Sequence, residues 1–133
     1  MKSIEVISIP VTDQQKAKAF YINLGFEVIV ESSLGNGETW IQMGLPDRLT
    51  TISLVNRWPF NKTAMAAGSL CGLFLETDDL EKEIEQLNSK GIVIGIFGDD
   101  GFHPGKIDDS PWGKFAHITD PDGNALVIHQ NKL

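Results

Sequence analysis

Two stretches of the chain have the apolar spacing of an amphipathic helix. In the first, apolar residues fall at i, i+3, i+4 and i+7, and in the second at i, i+4 and i+7. The positions are Ala17, Phe20, Tyr21 and Leu24 in the first stretch, and Leu80, Ile84 and Leu87 in the second. This spacing predicts helices over residues 13–24 and 79–90.

Both predicted helices carry start and stop signals. Residue pairs with capping-box spacing precede each apolar stripe. These pairs are Thr12 with Gln15, and Asp78 with Glu81. Gly25 and Gly91 follow the last turns, where glycine readily adopts the left-handed conformation that ends a helix.

The two helices belong to two copies of one unit. At an offset of 66 positions Asp13 matches Asp79, Gly25 matches Gly91, and apolar strands flank each helix. Strands are predicted at 4–11, 26–31, 39–43, 51–56, 70–77, 92–97, 114–119 and 125–130. The chain is therefore predicted to be one α+β domain, residues 1–133, built from two tandem β-α-β-β-β modules. Their approximate bounds are 1–66 and 67–133.

A polar segment at residues 98–112 interrupts the second copy. One interpretation is a flexible surface loop. The other is a lid or binding loop, because long loops in compact domains often have such a role. Phe102, His103 and Trp112 would be unusual in a purely solvated loop, and both interpretations stay open.

Composition and charge exclude several classes of partner. The 133 residues include 11 basic and 18 acidic side chains, giving a net charge of −7, which would repel a nucleic acid. The apolar runs are too short to cross a bilayer, so we expect no membrane partner. Residues 1–10 lack the apolar core of a signal peptide, which predicts a cytoplasmic protein.

Several short motifs resemble those of one superfamily. In the first half they are Val-Thr-Asp at 11–13, Phe-Tyr at 20–21 and Leu-Gly-Phe-Glu-Val at 24–28. In the second half they are Trp-Gly at 112–113 and Asp-Pro-Asp-Gly-Asn at 120–124. The chain resembles the vicinal oxygen chelate superfamily of glyoxalases, bleomycin-resistance proteins and extradiol dioxygenases. The resemblance implies a curved mixed sheet around a cleft, and a homodimer.

The resemblance also implies four metal-ligand positions, which this sequence fills with poor donors. Carried across from the motifs, they are Val6, Ser53, Gly72 and Val127. Metal-dependent relatives place His, Gln or Glu there, since a divalent metal needs three or four nitrogen, oxygen or sulfur ligands. We therefore expect no metal and no other cofactor. A site built from His103, His117 and His129 is the alternative.

Side chains at alternate strand positions, counted from those four, are expected to line the cleft. Together with two residues flanking the strands, they predict ligand contacts at Ser8, Trp40, Gln42, Ser53, Arg57, Phe74, Trp112, Phe115, His117 and His129. Aromatic rings with sparse polar groups suit a drug-sized organic ligand. For Trp40 and Phe74, simple core packing is the competing interpretation.

Three functions fit these observations. The leading hypothesis is a metal-free protein that binds a small organic molecule in the cleft and performs no chemistry. The second is a lyase, isomerase or dioxygenase with a non-standard metal or acid/base site, in which His117 is the candidate general base. The third is a non-catalytic interaction module whose cleft is filled by its own core.

Overall fold

The computed structural model describes residues 1–35, 37–56 and 66–132. In chain order its elements are β1 (Val6–Pro10), α1 (Gln14–Leu24), β2 (Glu27–Gly35), β3 (Glu38–Gly44), β4 (Thr51–Val55), β5 (Cys71–Glu76), α2 (Leu80–Ser89), β6 (Gly95–Gly98), β7 (Gly101–Pro104), β8 (Asp108–Ser110), β9 (Gly113–Thr119) and β10 (Ala125–Asn131). Neither α1 nor α2 has the length and apolar content needed to cross a membrane.

The elements form two compact units. The first contains Met1–Leu70 with Asp120–Asn124, and the second contains Cys71–Thr119 with Ala125–Leu133. Each unit holds one helix and one sheet with both parallel and antiparallel pairs. The predicted α+β class with a duplicated strand–helix pattern is confirmed.

The first sheet has the strand order β1-β4-β3-β2, with β1 parallel to β4 and the other pairs antiparallel. Because side chains alternate between the faces of a strand, one face carries the apolar set. Its buried members are Ile9, Ile41, Met43, Ile52 and Leu54. With Ala17 and Tyr21 of α1, which are also buried, they form the core of the first unit.

The second sheet has the order β5-β10-β9-β6-β7, and β8 also pairs with β9. Strand β5 is parallel to β10, and the remaining pairs are antiparallel. Its apolar face carries Ala116, Ile118, Leu126 and Ile128, and the buried stripe of α2 is Leu80, Ile84 and Leu87. These residues form the core of the second unit.

The helix ends correct one detail of the prediction. The N-caps are Asp13 and Asp79, one residue later than the predicted capping boxes. The carboxylate of Asp13 accepts hydrogen bonds from two backbone N–H groups of the first turn, whereas the Thr12 hydroxyl donates to Asp122 at 2.7 Å. Gly25 ends the first helix as predicted, with φ +118°.

The segment at 98–112 is not an irregular loop. A tight turn follows β6 and returns the chain as β7, and β8 then pairs with β9. The polar composition of this segment hid the hairpin, because only one pair of aromatic rings marks it. Phe97 and Phe102 are partners across the hairpin, and their ring centroids are 5.0 Å apart. The second unit therefore has two strands more than predicted.

A buried cluster of hydrogen bonds holds residues 120–124 in place within the first unit. The Tyr21 hydroxyl donates to Asp120 Oδ2 at 2.9 Å, and Asn124 Nδ2 donates to the same oxygen at 2.8 Å. Asn124 also donates to the Pro10 carbonyl at 2.8 Å and accepts from the Leu70 N–H at 3.0 Å. The motif that supports the family resemblance is therefore a structural anchor, because these bonds satisfy buried groups.

Candidate functional site

The face of the first sheet opposite its apolar core carries polar side chains that bond to each other. Ser8 and Ser53 are register partners whose hydroxyl oxygens are 3.0 Å apart. The Trp40 indole donates to Gln42 Oε1 at 3.2 Å, and Gln42 Nε2 donates to Thr51 Oγ1 at 2.9 Å. Four predicted ligand contacts, Ser8, Trp40, Gln42 and Ser53, thus share one face. Their role in binding stays a prediction.

The four positions implied for a metal do not present a fitting donor set. Val6 pairs with Thr51 in the first sheet, and Val127 pairs with Phe74 and His117 in the second. Ser53 is fully buried and uses its hydroxyl in the bond with Ser8. Across the described ranges, no three His, Cys, Asp or Glu side chains converge as metal ligands would.

The face of the second sheet opposite its apolar core carries a group of rings. Register pairs place Phe74 beside Val127, His117 across from Val127, and Phe115 across from His129. Ring centroids are 6.2 Å apart for Phe74 and His129, and 6.0 Å apart for Phe115 and His117. The structure therefore brings four predicted ligand contacts onto one face.

Two further rings on this face were missed by the sequence analysis. Gly95 of β6 pairs with His117, so Phe97, two residues later, lies on the same face, 5.8 Å from His117 between centroids. Phe102 joins through its register with Phe97. We call this surface the ring face; its residues are Phe74, Phe97, Phe102, Phe115, His117 and His129. The missed signal was a hairpin turn at Asp99-Asp100-Gly101.

The ring face is open in the described chain. Phe74 is 61% exposed, Phe97 57% and Phe102 37%. His117 and His129 are half-buried, and His129 Nε2 is buried without a hydrogen-bond partner among the described residues. That nitrogen packs over Gly113, where an added Cβ would lie only 2.3 Å away.

His103 and Trp112 do not lie on the ring face. His103 alternates with Phe102 and therefore lies on the opposite face of β7, where its Nε2 is 2.6 Å from Asp100 Oδ1. The three histidines of the alternative metal site therefore do not share one face. Trp112 lies in the two-residue turn between β8 and β9 and is 58% exposed. Arg57 falls outside the described residues.

Comparison with known proteins decides the family. A model of the Glyoxalase/Bleomycin resistance protein/Dioxygenase superfamily matches residues 3–128. The chain belongs to this superfamily. The resemblance inferred from the short motifs is therefore confirmed, and it extends over nearly the whole sequence.

Solved structures and a curated relative agree with the assignment. TnmS3, an antibiotic binding protein from Streptomyces sp. CB03234, is 31% identical with a TM-score of 0.81, covering 99% of this chain and 98% of that one. A glyoxalase/bleomycin resistance protein from the same organism is 32% identical with a TM-score of 0.75, covering 96% and 100%. The uncharacterized protein YwkD of Bacillus subtilis is 28% identical over 134 residues, covering 98% of both chains.

Proposed function

We propose that this superfamily member binds a flat organic molecule against the ring face and performs no metal chemistry. The observation that carries the proposal is the exposure of three phenylalanine rings beside two histidines on one sheet face. Exposed aromatic surface of this kind marks binding sites, because covering it releases water from apolar area. Stacked or edge-to-face rings would fix a planar ligand.

Similarity to TnmS3 supports a small-molecule ligand. That protein is described as antibiotic binding, and its likeness to this chain extends over both full lengths. A ligand with fused or linked aromatic rings suits the spacing of the side chains, since neighbouring centroids on the ring face are 5.0–6.2 Å apart.

The metal-free part of the proposal rests on the donor set. Val6, Gly72 and Val127 offer no side-chain ligand, and Ser53 already bonds to Ser8. Lewis-acid activation of vicinal oxygens needs a metal held by several donors. Metal content after incubation with nickel, zinc, manganese and iron tests this part, and a stoichiometric tightly held metal would contradict it.

The binding test is a thermal-shift screen with aromatic antibiotics, followed by titration of each stabilising compound. A true ligand at about a hundred times its Kd should stabilise the chain by about 2.7 kcal/mol. Phe97→Ala should weaken binding about tenfold through lost ring contact. Ile22→Ala is the matched control, because Ile22 is 47% exposed but lies on α1.

Two outcomes would replace the proposal. If no aromatic compound stabilises the chain, the ring face does not bind small molecules and the interaction-module hypothesis takes first place. If a bound compound is turned over, and His117→Ala abolishes turnover but retains binding, the chain is an enzyme with His117 as its general acid or base.

We also propose that the chain acts as a cytoplasmic homodimer. Strand β2 ends its sheet, and all but one of its residues are exposed. Long exposed edge strands are prone to pair with another chain. Analytical ultracentrifugation of the chain should give the mass of a dimer. Val30→Lys places a charge on this edge and should shift the equilibrium toward the monomer. A monomer mass for both the unmodified chain and the variant would contradict the proposal.

A further inference from the structure

The strand register arranges the ring face in rows that cross the second sheet. Residues that are register partners on successive strands lie side by side on one face. The first row is Phe74, Val127, His117 and Gly95, and the second is Glu76, His129, Phe115 and Asp108. The second row therefore begins and ends with a carboxylate and has two rings between them.

The length of this second row follows from the spacing of strands. Neighbouring strands lie about 4.8 Å apart, so three steps place Glu76 and Asp108 about 14 Å from each other. Glu76 is exposed and Asp108 half-buried. A compound with three fused rings is shorter than this distance and therefore fits between the two ends of the row.

No positive charge balances these carboxylates on the strands of the ring face. Among the residues of the six strands themselves, all of which are described, Lys114 is the only Lys or Arg. It lies on the opposite face, where its ammonium is 2.9 Å from Glu81 of α2. Lys132 likewise pairs with Asp109, and among the described residues neither Glu76 nor Asp108 has an ion-pair partner, so both carboxylates stay available to a ligand.

We propose, on the basis of the proposed binding function, that the ring face selects planar aromatic cations over neutral and anionic molecules of the same shape. A cation over the face of an aromatic ring is attracted by the ring quadrupole. Glu76 and Asp108 add a Coulombic attraction at both ends of the row, and the net charge of −7 acts in the same direction. Apolar contact with the rings binds the planar part of the ligand, and the two carboxylates provide the preference for positive charge.

The test compares three probes that share one ring system: N-methylacridinium, neutral acridine and acridine-9-carboxylate. Affinities are measured by fluorescence titration at mildly alkaline pH, where acridine itself is uncharged. The cation should bind about tenfold more tightly than acridine, and the carboxylate more weakly than both.

Variants that remove one carboxylate charge test whether the preference for a cation comes from the second row. Glu76→Gln and Asp108→Asn should each reduce the cation-to-acridine affinity ratio about threefold and leave the affinity for acridine unchanged. Glu85→Gln is the control, since it makes the same change in net charge on the exposed side of α2. Using a ratio within each variant removes any effect of a small loss of folded protein.

Each outcome has a distinct meaning. Equal affinity for acridinium and acridine would overturn the cation selectivity while leaving small-molecule binding in place. A ratio reduced as strongly by Glu85→Gln as by Glu76→Gln would show a net-charge effect and overturn the assignment to the row. Failure of all three probes to bind would refute both this inference and the proposed use of the ring face.

Discussion

Removing one buried hydroxyl should measure how strongly residues 120–124 are anchored. Tyr21 is fully buried, and its hydroxyl donates to Asp120, which is itself buried. Tyr21→Phe removes this donor but keeps the ring, whose centroid lies 5.2 Å from that of Phe20 and 5.6 Å from that of Phe26. The substitution therefore isolates one hydrogen bond from the surrounding apolar packing.

The expected cost follows from the chemistry of the acceptor. A hydrogen bond to a charged group contributes about 1.5–3 kcal/mol, and Asn124 still donates to Asp120 after the substitution. We expect Tyr21→Phe to lower the free energy of unfolding by about 2 kcal/mol. In a chain of this length, that corresponds to a fall in Tm of about 5–10 °C.

The same residue predicts a pH dependence. Burial, followed by the nearby charge of Asp120, raises the pKa of Tyr21 well above its ordinary value. Above about pH 10 the unfolded chain releases this proton while the folded chain keeps it. The contribution of Tyr21 is thus fully present below about pH 10. It is lost at higher pH by about 1.4 kcal/mol for each pH unit, a loss that Tyr21→Phe should not show.

Urea unfolding followed by circular dichroism, at neutral pH and above pH 10, measures both effects. Tyr21 is the only tyrosine in the chain, so tyrosinate absorbance reports this residue alone. Thr50→Val is the control, since it removes an exposed hydroxyl that donates to Ile4 and should cost under about 0.5 kcal/mol. A similarly small cost for Tyr21→Phe, or tyrosinate formation in the folded chain near pH 10, would refute the reasoning.

Four further substitutions test the fold. Asp13→Ala and Asp79→Ala remove equivalent N-caps and should each cost about 1 kcal/mol by urea unfolding; no loss in either would contradict the cap assignment. Asn124→Ala leaves several buried groups without partners and should cost at least about 3 kcal/mol, so a near-wild-type Tm would argue against the cluster. Gly95→Ala places a Cβ 2.1 Å from the His103 carbonyl oxygen and should loosen the β6–β7 hairpin, seen as faster amide exchange there; unchanged exchange would contradict that packing.

The helices could be predicted because their signals are local. Apolar stripes and the glycines at 25 and 91 act within a few residues, and both glycines adopt positive φ, +118° and +79°. The choice between Thr12 and Asp13 as N-cap was not local. Both have cap-forming side chains, and the distant Asp122 decides by engaging the Thr12 hydroxyl.

The candidate site could be predicted in part. Phe115 and His117 alternate along one strand, as do Val127 and His129 along the next, so a shared face followed from the two-residue period. The turn at residues 99–101 could have paired Phe97 with Phe102, but their position on the ring face depends on the pairing of β6 with β9 through Gly95 and His117.

By itself, the sequence determined the helices, most strands, the duplicated pattern and, through short motifs, the superfamily, since each depends on residue type or short-range spacing. Only the tertiary structure decided the strand order, the extra strands and the partners of buried polar groups. Tyr21 and Asp120 are 99 positions apart, and no local pattern encodes such a pairing. The register of a strand pair is fixed by the need to bury the apolar face of the whole sheet. That constraint acts only when the strands have come together.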